Sequence, residues 1–168
     1  MTISMYHASA PRLDAMLSNL AVILKKASDH AAAKKIDPAV LLEARLFPDM
    51  FPLKRQVMIA CDNAKGPVAR LAGIDIPKHE DIEQTFDELL ARIAKTQEFI
   101  RSVRPEQIDG SEQRTIEFKA GSHELKFTGM QYLLGFAIPN FHFHVVTAYN
   151  ILRHNGVEIG KGDYIGTP

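Results

Sequence analysis

Apolar residues recur at alternating spacings of four and three early in the chain, at Leu13, Leu17, Leu20, Leu24, Ala27 and Ala31. Met16 and Ile23 widen that stripe to the breadth of a helix facing a bundle, rather than a narrow coiled-coil seam. Pro11 marks either a kink or the start of this helix. Asp37-Pro38 reads as an N-cap followed by Pro at the first helical position, opening a short helix through Arg45. Pro48 and Pro52 bracket an irregular corner, and Leu53, Val57, Ala60, Ala64 and Leu71 then form a second stripe. A bend is expected at Gly66-Pro67 and a stop at Gly73. After a loop through Pro77, the spacing of Ile82, Phe86, Leu89, Ile93 and Ile100, with Leu90 and Ala94 beside them, predicts a third long helix.

One stretch breaks the helical period. Thr115–Lys119 and Glu124–Thr128 alternate apolar and polar residues around Ala120-Gly121-Ser122-His123. Gly-Ser suits the centre of a type II′ turn, so Phe118 should face Leu125 and Ile116 should face Phe127. A lone hairpin is marginally stable, so its apolar face must cover an end or side of the helices, as a structural lid or as a gate for substrate. The last periodic segment, Ile138–Gly156, has Pro in its first turn and a Gly stop. Four long helices, each with one apolar face, call for a four-helix bundle in one domain over residues 1–168.

The last helix carries the most telling side chain. At about 100° per residue, Phe141, Val145, Ala148 and Leu152 centre its buried stripe, and His144 lies about 40° from that centre. Asn140 sits one turn earlier at the edge of the stripe. His142 falls about 160° from His144, so a regular helix cannot bring both to one metal; His142 is expected at the surface or a subunit contact. On the second long helix, Gln56 stands among Leu53, Val57 and Ala60 and should also point inward. An inward amide needs a partner, and Gln56 bonding to Asn140 or His144 would satisfy the group. Two readings stay open for His144: a hydrogen-bonded core residue, or a ligand contact or acid/base.

Other candidates carry less. Cys61 is placed outside the apolar centre of its helix, with no basic residue close enough to lower its pKa. Asp62 is expected in solvent, as are His7, His30, His79, His123 and His154, at helix ends, loops or the turn. Gly160-Lys161-Gly162 lacks the strand-loop-helix setting of a phosphate loop.

Composition narrows the classes further. Twenty basic and twenty acidic residues give zero formal charge, which argues against a nucleic-acid binder. One cysteine excludes an internal disulfide and suits a reducing compartment. No signal-peptide pattern opens the chain and no apolar run approaches the roughly 20 residues of a membrane span. A cytoplasmic protein is the expectation.

Two motifs also carry a family resemblance. Pro48-Asp49-Met50-Phe51-Pro52-Leu53 followed by Gln56, and Pro139-Asn140-Phe141 with Phe143-His144, Ala148-Tyr149, Ile151-Leu152-Arg153 and Gly156-Val157, resemble an uncharacterised bacterial domain-of-unknown-function family. That family is grouped with the DinB/YfiT-like helical superfamily, and the resemblance spans nearly the whole chain. It implies an all-α, up-down-down-up four-helix bundle with a long crossover, here with a small β-hairpin inserted before the last helix, and often a homodimer. It also implies relatives that are metal-dependent thiol transferases or isomerases, whose site is one histidine from the second long helix and a His-x-x-x-His pair on the last. Here His144 matches the second of that pair, Asn140 stands where the first should be, and Gln56 is the best match for the third ligand.

Amide oxygens are poor donors to zinc or nickel, so no cofactor is expected, and any divalent ion at His144, Gln56 and Asn140 would be weakly bound. Three functions follow as expectations. The first is a small-molecule-binding protein or enzyme with His144 as acid/base or polar contact and Gln56 and Asn140 orienting the ligand. The second is a metal-dependent enzyme of the superfamily type, with His7 or Asp62 folding inward as a further ligand. The third is a non-enzymatic dimeric protein whose polar cluster fixes helix register.

Overall fold

The first stripe folds as its spacing predicts. In a computed structural model describing residues 3–166, a one-turn helix α1 (Met5–Ala8) leads into α2 (Ala10–Lys34), with Pro11 in the first turn. Leu13, Leu17, Leu20, Ile23, Leu24, Ala27 and Ala31 are all buried on one side of α2. Lys35 closes the helix in the left-handed region, at φ 55°. Asp37 caps α3 (Pro38–Leu42) by accepting from the Ala39 N–H at 2.9 Å. This helix stops at Leu42, three residues before the expected Arg45.

After the Pro48–Pro52 corner, α4 (Leu53–Ala72) runs to Gly73, whose φ of 69° gives the left-handed C-cap that the sequence expects. Pro67 lies within α4 and has no N–H to offer the Asn63 carbonyl. The third long helix, α5 (Phe86–Ser102), begins where Thr85 and Glu88 form a reciprocal capping box. That cap excludes Ile82, which the apolar spacing had included; it sits in the preceding connection, 68% exposed. Ala94 is likewise exposed on α5.

A short helix α6 (Pro105–Ile108) leads to the hairpin β1 (Thr115–Ala120) and β2 (His123–Thr128). The strands are antiparallel, and their register pairs Ile116 with Phe127 and Phe118 with Leu125, as expected. Gly121 takes φ 60° at the first turn position while Ser122 stays out of the positive region, in keeping with a type II′ turn. Phe118 and Phe127 pack on Tyr132 and Phe136, with centroids 5.4–6.1 Å apart, which fixes the hairpin to the helical body.

The last helix departs from the sequence expectation. It starts at α7 (Gly129–Tyr132), passes through a π-helical turn at Leu133–Ala137 and continues as α8 (Ile138–His154) without leaving helical backbone angles. Pro139 therefore lies well inside a continuous helix. Its missing N–H and the wider π turn coincide, so the helix accommodates the proline by changing its hydrogen-bond step. A final helix, α9 (Lys161–Ile165), packs against α2.

The chain is thus mostly helical with one two-stranded hairpin. α4 lies against both α5 and α8, and α2 lies against α5, around one apolar core. Among the described residues, no helix is long and apolar enough to cross a membrane.

Candidate functional site

The polar seam lies where α4 faces α8. Leu53, Val57 and Ala60 bury one side of α4, and Phe141, Val145, Ala148 and Leu152 bury the facing side of α8. Gln56 is carried inward with the first set and is 2% exposed. Its Nε2 donates to the Phe51 carbonyl at 3.0 Å, and its Oε1 lies 2.7 Å from His144 Nδ1. The protonation state follows from these partners. A carbonyl only accepts, which sets the amide orientation; the amide oxygen then only accepts, so Nδ1 carries the proton. His144 is half-buried and keeps its lone pair on Nε2, which makes no hydrogen bond among the described residues. Burial lowers the His144 pKa, so the imidazole is neutral near pH 7.

The three expected residues do not form a single mutually bonded cluster. Gln56 and His144 meet, but Asn140 pairs instead with Asn63, its Nδ2 donating to Asn63 Oδ1 at 3.1 Å. Asn63 lies two turns after Gln56 on α4, and that seven-residue spacing was the available clue to it. Both asparagines border a cleft of about 700 Å³ between α4, the connection after it, the hairpin and α8.

Several other placements need correction. Cys61 is fully buried rather than outside the apolar centre, because α4 is covered by more than one neighbour. Burial pushes its thiol up to about 12, outweighing the Thr96 hydroxyl and the nearby charges of Arg92 and Lys65, basic residues that the sequence reading did not place there. Cys61 should therefore resist thiol reagents at pH 8 until the protein unfolds, with labelling of the native state tracking global opening; fast labelling would contradict this placement. His142 is half-buried, with Nδ1 2.8 Å from the Tyr164 hydroxyl, and so joins α8 to α9 rather than facing solvent. His79 is also not a solvated loop residue, since both ring nitrogens are buried without a partner among the described residues. His7, proposed as a possible inward ligand, is exposed beside Ser4.

Asp62 belongs to a charge network that the sequence did not reveal. Arg92 on α5, its side chain 1% exposed, reaches Asp62 at 3.1 Å, Asp81 at 2.9 Å and Glu83 at 3.0 Å. Lys65 also pairs with Asp62, and Arg55 with Asp81. Among the described residues, no three His, Cys, Asp or Glu side chains group closely enough to hold a metal ion.

Comparisons with known proteins fit this architecture. The family described as "Domain of unknown function (DUF1993)" matches residues 5–165. A crystal structure of a DinB family member protein from Shewanella denitrificans is 43% identical, with a TM-score of 0.88. The match covers 97% of this chain and 92% of that one. No curated protein matches the chain.

Proposed function

The chain belongs to the DUF1993 family, within the DinB-like superfamily, and on that premise we propose that it is a small-molecule-binding protein or enzyme that works without a resident metal. In this reading α2, α4, α5 and α8 are the four helices of one up-down-down-up bundle domain, in a cytoplasmic homodimer. His144 supplies the working atom, Nε2, as hydrogen-bond acceptor or general base. Gln56 is a positioning residue that holds the ring in one tautomer, and Asn140 contributes a polar contact from the adjoining cleft.

The observation that carries the proposal is the 2.7 Å contact between Gln56 Oε1 and His144 Nδ1. It leaves the imidazole oriented and neutral, with the lone pair on Nε2, which is the form a general base needs. The same contact argues against the superfamily's metal chemistry at this position. The Gln56 oxygen already accepts from the imidazole, the Asn140 amide is turned to Asn63, and neutral amides bind zinc or nickel poorly. Imidazole is the one strong donor in the set.

The ring tautomer, the response to ligands and the metal content test this reading. Nitrogen-15 NMR should find His144 as the Nδ1–H tautomer, with a pKa below the ordinary value of about 6.5. Because the folded pKa is depressed, the neutral ring's contribution to stability is present above the unfolded value and is lost as pH falls through the folded one. A thermal-shift screen of small polar metabolites should yield a compound that stabilises the wild type but not His144→Ala. An Nε2–H tautomer, ligand responses that ignore the variant, or stoichiometric metal in untagged protein would overturn the proposal.

A further inference from the structure

A second group of side chains converges on the cleft beside Asn63 and Asn140. Arg70, near the C-terminal end of α4, lies with its guanidinium carbon 4.4 Å from the centroid of Phe118 on the hairpin. Its Nη1 donates to the Tyr132 hydroxyl at 3.0 Å, and Tyr132 is buried. The guanidinium also rests over Gly66, where an added Cβ would come within 2.8 Å of Nη1. An aromatic face, a phenol and a bare backbone therefore hold the side chain in place. Among the described residues, no carboxylate pairs with it. Tyr132 engages a single N–H, and a guanidinium has five.

The surrounding charge has the same sign. Lys65, Arg70, Lys78 and Lys119 border the cleft against two carboxylates, Asp62 and Glu80. Asp62 is already engaged by Lys65 and Arg92, and Lys119 pairs with Glu124 at 3.8 Å, which leaves Arg70 and Lys78 against Glu80. His79, in the wall, keeps two unpartnered ring nitrogens. Its pKa is lowered by burial first, and then by the positive charges of Lys65, Lys95 and Arg92. A positioned, unpaired guanidinium in a net-positive cleft is the arrangement that recognises an oxyanion.

We propose that the cleft between α4, the 74–85 connection and the hairpin binds a small anionic molecule, with its carboxylate or phosphate group on Arg70 and its uncharged polar part against Asn63 and Asn140. This site does not depend on His144 acting as a base. The hairpin then has a second role besides covering apolar surface, because Phe118 holds the anion-binding side chain.

Inorganic phosphate and acetate serve as probes, titrated against chloride at constant ionic strength. The readouts are the Arg70 Nε–H and His79 ring resonances. At least one of the two anions should give a saturable shift at both groups and raise the His79 pKa. A response to phosphate alone assigns a phosphorylated ligand, and a response to acetate alone assigns a carboxylate. Arg70→Gln should weaken binding about tenfold or more, whereas Arg153→Gln, at an exposed position in the last turn of α8, should not. Gly66→Ala gives a test that does not rely on removing the charge. Its methyl meets the far end of the Arg70 side chain rather than backbone, so the protein should stay folded while the displaced guanidinium loses anion affinity. Equal behaviour of both anions and chloride, or an unchanged titration in both Arg70→Gln and Gly66→Ala, overturns the proposal.

Discussion

Replacing Arg92 with leucine should destabilise the protein by about 2–4 kcal/mol, read as a lower urea midpoint at constant slope. The effect is electrostatic, because what the side chain meets is carboxylates and a backbone carbonyl. The guanidinium is the shared partner of Asp62, Asp81 and Glu83, and it donates to the Glu80 carbonyl at 2.8 Å. Removing it leaves three neighbouring carboxylates with less compensation and detaches the connection between α4 and α5. A fully buried pair that loses one partner costs about 3–5 kcal/mol. The expected value is lower because Asp62 and Asp81 are 43% and 34% exposed, and water relieves part of the loss.

The pH dependence identifies the cause. Burial pushes the Asp81 carboxyl up, but Arg55 and Arg92 outweigh it and hold it below the usual range. A depressed carboxylate stabilises the fold above its unfolded pKa, and that contribution is lost as pH falls through the folded value. The difference between wild type and Arg92→Leu should therefore narrow below about pH 4. Arg92→Lys, which keeps the charge but loses the fork, should fall between the two. A leucine variant as stable as wild type at pH 7 would show the network to be energetically neutral.

The sequence made the elements legible where one residue sets a local rule. Asp37-Pro38, Gly73 and the Gly121-Ser122 turn each specify a cap or turn by their own chemistry, and the hairpin register follows from its alternation. His144 and Gln56 were legible as inward polar groups because each interrupts an apolar stripe. Their pairing, and that of Asn140 with Asn63, required the offset between α4 and α8, which no periodicity encodes. Cys61 was misplaced because a one-face reading assumes a single covered side, whereas α4 packs against both α5 and α8. Arg92 and His79 were missed for another reason. Arg92 lies beside Leu89 and Ile93, so burial could be suspected, but its acidic partners lie in the preceding irregular connection. The same connection turns His79 inward.

Gly129→Ala should destabilise the protein by about 3 kcal/mol, although helix propensity alone predicts a gain. Gly129 opens α7 directly after the Thr128 cap, where alanine is ordinarily the better residue. Its φ is not in the positive region, so the requirement for glycine is not backbone conformation. It is proximity: a Cβ there would overlap the Ser111 carbonyl oxygen, a backbone atom that no rotamer change can move aside, and Leu71 Cδ2 stands 3.3 Å away on the next side. The Met130 N–H donates to the Glu112 carbonyl at 3.0 Å, and Arg114 donates to the Leu71 carbonyl. The start of α7, the segment before β1 and the end of α4 are thus fastened together at one point. A methyl group must open that contact, so overpacking exceeds the propensity gain of at most about 1 kcal/mol. In a chain of this size the loss corresponds to a fall in Tm of about 6–12 °C. Gly135→Ala is the matched control, since a Cβ in the π turn meets no atom within 4 Å; it should leave Tm unchanged or raise it. If the two variants moved Tm alike, backbone entropy rather than close approach would account for both.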